Sequence, residues 1–272
     1  MSTRTPAIVS PVLLFLLVYV ILFVVMALAV QPSSAIEFQW SALFAAIVAN
    51  LVANHFYDRN EFRYGLLISP GRLLANVIGG VAMAALLVGS ADLLITTLTG
   101  TRRVVGLGFP WLSVLILFTP AVLHEELLFR GYAFQKLAEK HIGLALGASS
   151  LIFAALHLGN DHVGPLALLN ILLAGILLGA FYIVTRSLWF PIAAHWFWNV
   201  FSGPILGHEV SGYDEGSVFL TVDAGSALLT GGEFGIEGSA LMTVVEIAAL
   251  ALLYRQRSLL RSRVEVSRAA SA

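Results

Sequence analysis

Residues 11–30 read PVLLFLLVYVILFVVMALAV, twenty positions without a charge or an amide. A helix rises about 1.5 Å per residue, so a run of this length crosses the roughly 30 Å hydrocarbon core of a bilayer. Extended to about 8–30, it is the first of eight such stretches. The others lie at about 36–56, 75–98, 110–135, 142–158, 165–186, 188–206 and 238–254. Strands of a membrane barrel alternate polar with apolar residues, and these runs do not. The expectation is therefore an all-α, polytopic integral membrane protein of about eight transmembrane helices, in a cell membrane. Arg4, the apolar run and Ala27-Leu28-Ala29 also resemble a secretory signal. The run is long for a signal's apolar region, so it reads as a retained span.

Composition agrees. The 272 residues are 58% hydrophobic and 11% charged, against about 25% charged in soluble domains. There is no cysteine, which removes disulfides, thiol catalysis and Cys-ligated zinc. A net charge of −1 gives no reason to expect a nucleic-acid partner.

The positive charges orient the chain, because Lys and Arg favour cytoplasmic loops. With a cytoplasmic N-terminus, the inside segments hold Arg4, Arg59, Arg63, Arg72, Lys136, Lys140, Arg186, Arg255, Arg257, Arg261, Arg263 and Arg268, which is 12 of 15 basic residues. Only Arg102 and Arg103 fall outside, and Arg130 lies within a span. The loop at about 207–237 has no Lys or Arg but carries Glu209, Asp214, Glu215, Asp223, Glu233 and Glu237. Both termini are expected in the cytoplasm. Residues 1–254 read as one transmembrane domain and 255–272 as a basic cytoplasmic tail.

Ionisable groups inside a span are costly and are functional candidates by default. The fourth span contains His124-Glu125-Glu126-Leu127-Leu128-Phe129-Arg130. Glu126 and Arg130, four apart, share a helix face and can pair. Glu125 points about 100° away, which leaves a carboxylate free for acid–base work. A structural ion pair beside a pore-lining glutamate is the plainer alternative. The zincin pattern is absent, since position 128 is Leu128 where a second histidine is required. Phe153-Ala154-Ala155-Leu156-His157 closes the fifth span, and His195-Trp196-Phe197-Trp198-Asn199 lies in the seventh. His195 and Asn199 share a face, which suits either a polar wall or interhelical hydrogen bonds. Asn160, Asp161, His162 and Asn170 read as supporting residues, and His55, His141 and His208 as interfacial.

In order, Glu125-Glu126-x-x-x-Arg130, Phe153-x-x-x-His157 and His195-x-x-x-Asn199 resemble the CPBP family of type II CAAX prenyl endopeptidases and bacteriocin-processing (Abi) intramembrane proteases. Ser187–Ile192 and the glycine-rich Thr230–Gly238 are also similar to bacterial members. The resemblance implies a membrane-embedded peptidase, a hydrolase acting on a peptide or membrane-protein substrate. It implies Glu125 as general base, Glu126 and Arg130 as its positioning pair, His157 and His195 as groups orienting water or binding the carbonyl, and Asn199 as oxyanion donor. A divalent metal such as zinc, held by His157 and His195, stays open. From the residues alone, a non-catalytic membrane scaffold or regulator and a transporter or proton relay remain alternatives.

Overall fold

The structure, a computed structural model, describes residues 9–59, 65–214, 216–222 and 224–270, with side chains described as far as residue 256. Arg4, Arg63, Glu215 and Asp223 lie outside the described residues, as do the side chains of Arg257, Arg261, Arg263 and Arg268. The protein is an all-α membrane fold. Six helices among the described residues are long and apolar enough to cross a bilayer: Val9–Val30, Ala35–Asp58, Pro70–Thr99, Trp111–Lys140, Ile142–Gly159 and Pro165–Thr185. The first three are α1, α2 and α3. Two further helices, α9 (Trp189–Val200) and α11 (Ala240–Ala270), stand where the seventh and eighth spans were expected.

Along α1, Leu13, Leu17, Val20, Val24 and Leu28 are all exposed, an apolar face at helical spacing with lipid as its natural solvent. The opposite face is tied into the protein: Phe15 is fully buried in the main core, and the Tyr19 hydroxyl is hydrogen-bonded to His124 Nε2 at 2.8 Å. Helix α3 starts on Pro70, whose missing N–H costs nothing in a first turn, and packs on α9. There Gly80 permits close approach, since a Cβ would sit 2.5 Å from Phe190 O. Small residues allow such contact between membrane helices.

The fourth span, expected unbroken over 110–135, is segmented. It comprises α4 (Trp111–Ser113), a π turn at Val114–Phe118, α5 (Thr119–Phe129) and α6 (Tyr132–Lys140). Pro120 has no N–H to give the Ile116 carbonyl, four residues back; that carbonyl accepts from Trp40 Nε1 on α2 at 3.0 Å. The break after Phe129 is built on Gly131, where a Cβ would lie 2.0 Å from Leu127 O. Asn50 of α2 satisfies the backbone it frees: its Nδ2 donates to Leu127 O at 3.1 Å, and its Oδ1 accepts from Tyr132 N at 2.8 Å. In lipid no water is available for that task.

Then come α7 (Ile142–Leu156), ending in a 3₁₀ turn at His157–Gly159, and α8 (Pro165–Thr185). After α9 a second π turn, Phe201–Ile205, leads to the connecting segment before α11. The fold is not purely helical: β1 (Arg102–Val105) and β2 (Phe219–Val222) form an antiparallel ribbon pairing Arg102 with Val222 and Val105 with Phe219. It accounts for one of the two misplaced positive charges. Arg103 is ion-paired with Asp92 of α3 and donates through Nε to Leu206 O. His208, read as interfacial, is instead 5% exposed and donates through Nε2 to the same Asp92 at 2.8 Å. A short helix, α10 (Ala227–Thr230), precedes the glycine-rich turns before α11.

Candidate active site

Helices α5, α7 and α9 each bring one of the three motifs to a common centre. Glu126 and Arg130 are fully buried, with Arg130 Nη1 donating to Glu126 Oε1 at 2.9 Å. Arg130 Nη2 donates to Gly175 O on α8 at 3.0 Å, and its guanidinium lies 4.9 Å from the centre of the Phe153 ring. Such stacking recovers part of the desolvation cost of a cation. Glu126 Oε1 also accepts from His195 Nδ1 at 2.9 Å. The bond fixes which ring nitrogen carries the proton when the imidazole is neutral, leaving Nε2 for other partners.

Glu125 does point elsewhere. Its side chain keeps 21% of its exposure, and its Oε2 stands 3.7 Å from His195 Nε2, beyond a hydrogen bond but within electrostatic contact. Glu125, His157, His195 and Asn199 all line one cavity of about 860 Å³, a size that suits a small ligand or a stretch of peptide. Glu126 and Arg130 are not in its lining; they stand behind it.

Phe153 links the pieces. Its carbonyl accepts from His157 Nδ1 at 2.7 Å, which leaves Nε2 as the available ring nitrogen. The Phe153 ring centre is 4.7 Å from that of His157 and 6.1 Å from that of His195. The two histidines, from different spans, thus contact one aromatic ring. The Asn199 side chain forms no hydrogen bond to another described residue, so its carboxamide is available to a ligand.

The supporting candidates divide. Asn160 Nδ2 donates to Ser211 O at 3.0 Å, and both residues line the cavity. Asn170 Nδ2 donates to the carbonyls of Glu237 and Ser239, while its Oδ1 accepts from Thr243, pinning the start of α11 to α8. His162 pairs with Glu233 at 3.1 Å, both well exposed and outside the cavity lining. His55 and His141 are exposed and also outside it.

Three lining residues were given no role at the site in the sequence reading. His124 is buried against Tyr19. Glu237 accepts from Trp198 Nε1 at 2.9 Å and from Ser211 N and Oγ at 3.0 and 2.7 Å. Glu246, in the middle of the eighth apolar run, is 1% exposed. A lone glutamate in such a run is itself a signal by the rule applied to the fourth span.

The described residues hold no ready-made zinc site. No group of three or more His, Asp or Glu side chains among the described residues is placed to hold a metal, while a catalytic zinc takes three protein ligands. His157 Nδ1 is bonded to a backbone carbonyl and His195 Nδ1 to Glu126, which leaves both Nε2 atoms free and orients each ring through its other nitrogen.

Residues 107–201 match the Rce1-like family, described as Type II CAAX prenyl endopeptidase Rce1-like. The match agrees with the resemblance to the CPBP family carried by the motifs. It covers about a third of the chain, from the start of the fourth span to just past Asn199, and so contains all three motifs. A CAAX-type intramembrane protease, and hence a hydrolase, is the activity it supports. No curated protein and no solved structure matches the chain.

Proposed function

We propose that this protein is a glutamate-dependent endopeptidase of a cell membrane, cutting a peptide or membrane-protein substrate at or within the bilayer. It has eight spans with both termini cytoplasmic and 255–272 as a basic tail, and it takes no nucleic acid. The observation that carries the activity is that Glu125, His157, His195 and Asn199, from three separate helices, line a single cavity.

Glu125 takes a proton from water as the water oxygen adds to the scissile carbonyl carbon. His157, through Nε2, accepts from the same water and orients it. The developing oxyanion is met by the Asn199 carboxamide and by His195 as the imidazolium, its Nδ1–H on Glu126 and its Nε2–H on the oxyanion, with Arg130 behind Glu126 holding that arrangement. Donors fixed before the charge develops are the efficient way to stabilise it. The C–N bond then breaks, and Glu125 passes its proton to the leaving amine. No step uses a metal.

The test is proteomic. Membranes bearing wild type or Glu125→Gln are compared for new peptide termini, and purified enzyme is then assayed on the peptides found. Cleavage should fall by at least about 10² in the variant, the usual worth of a general base, with its melting transition retained. Cleavage that survives Glu125→Gln rules the mechanism out. Transport by proteoliposomes without proteolysis favours a relay instead.

A further inference from the structure

Glu246 has no role in the mechanism above, yet it lies in the same cavity. It is 1% exposed, its Oε2 is buried without a hydrogen-bond partner, and it lines the cavity together with Glu237. The two carboxyls are within electrostatic reach of each other. They are not equivalent: Glu237 has donors on both oxygens, while Glu246 forms no hydrogen bond to any described residue. A buried carboxyl without a partner is costly in either protonation state.

The walls around it are apolar. Val245 and Ala249, which flank Glu246 on α11, pack into the cluster containing Ala84, Leu87, Leu177 and Leu178. Three glutamates, Glu125, Glu237 and Glu246, line the cavity and no Lys or Arg does. An aliphatic recess with an unsatisfied carboxyl in its wall calls for a ligand with an apolar stem and several N–H donors at its tip. Within a peptide, that describes lysine and arginine.

We propose that Glu246 forms a specificity recess for a long basic side chain, Lys or Arg, at a fixed distance from the scissile bond. The assignment rests on the endopeptidase reading. The substrate's cation supplies the donors Glu246 lacks, and the surplus of carboxylates offsets its desolvation. A neutral side chain of equal length leaves the carboxyl orphaned, and sites built around a polar partner discriminate strongly on that basis.

Full-length protein in nanodiscs would be given a library of apolar peptides carrying Lys, Arg, Gln or norleucine at each position in turn, with products read by mass spectrometry. In wild type, kcat/KM should favour Lys or Arg over norleucine by about tenfold or more at one position relative to the cut. The ratio should persist in Glu246→Asp and fall to about one in Glu246→Gln. A ratio unchanged in Glu246→Gln overturns the recess. If that variant does not fold, Ala174→Leu, which narrows the cavity from α8, should lower the ratio, and an unchanged ratio is equally fatal. Should wild type cut no peptide, the endopeptidase reading fails and the recess is judged by binding. In that case n-butylguanidinium should raise the melting temperature of wild type but not of Glu246→Gln; equal shifts, or none, overturn it.

Discussion

Replacing Glu126 with alanine separates the scaffold from the chemistry. Its carboxylate is fully buried, and one oxygen serves both Arg130 Nη1 and His195 Nδ1 at 2.9 Å. Removing it strands a guanidinium with no exposed surface, and breaking one partner of a buried pair costs about 3–5 kcal/mol. The Gly175 carbonyl and the Phe153 face still hold Arg130, which argues for the lower end of that range. About 3 kcal/mol is a loss of some two decades in the folding constant. It should appear as a large shift in reversible SDS-induced unfolding followed by circular dichroism in mixed micelles. Glu126→Ala with Arg130→Met should recover much of the loss, because no unpaired cation remains, giving a coupling of roughly 2–3 kcal/mol across the cycle. Glu125→Ala should change stability little, since its side chain is partly exposed and its His195 contact is 3.7 Å long. If Glu126→Ala costs under about 1 kcal/mol, or the double variant is no better than the sum of the singles, the buried pair is not the scaffold argued for it.

Three further outcomes follow from the geometry. Asn199→Ala should lower kcat by about 10²–10³, the usual worth of one oxyanion donor, with KM nearly unchanged; a loss confined to KM would make Asn199 a ground-state binding group. Asn50→Leu should destabilise by about 1–3 kcal/mol by orphaning Leu127 O and Tyr132 N at the helix break, and a neutral result in the same SDS titration would show that another group takes over. Peptidase activity should survive prolonged chelation to within about twofold, given that a catalytic zinc needs three ligands. Activity lost to the chelator and restored by zinc would overturn that expectation.

The sequence made some of this legible and hid the rest for definite reasons. Uninterrupted apolar runs mark spanning helices because the solvent on both sides is lipid, and the four-residue spacing of Glu126 and Arg130 made their pairing readable. That His157 and His195 share one cavity and one aromatic neighbour was not readable, because linear position along a span says nothing of the 3₁₀ turn that ends α7 or of the Phe153 ring that touches both. The break after Phe129 was missed for a similar reason. Gly131 inside an apolar run looks harmless, and Asn50, which makes the break affordable, comes more than seventy residues earlier. His208 looked interfacial because its partner, Asp92, lies on a distant helix. Glu246 was missed differently, since the rule that singled out the fourth span applies to it with equal force.

Trp40, Asn50 and Tyr19 have a consequence for the order of assembly. All three lie on α1 and α2, outside the segment that carries the motifs, and they meet the Ile116 carbonyl, the helix break and His124 respectively. The ribosome delivers that hairpin first. When the charged fourth helix follows, the groups that complete its irregular backbone are already in the bilayer. The N-terminal hairpin should therefore act as a template for insertion, and residues 107–201 expressed alone should enter lipid without Asn50 to meet the Leu127 carbonyl or Trp40 to meet that of Ile116.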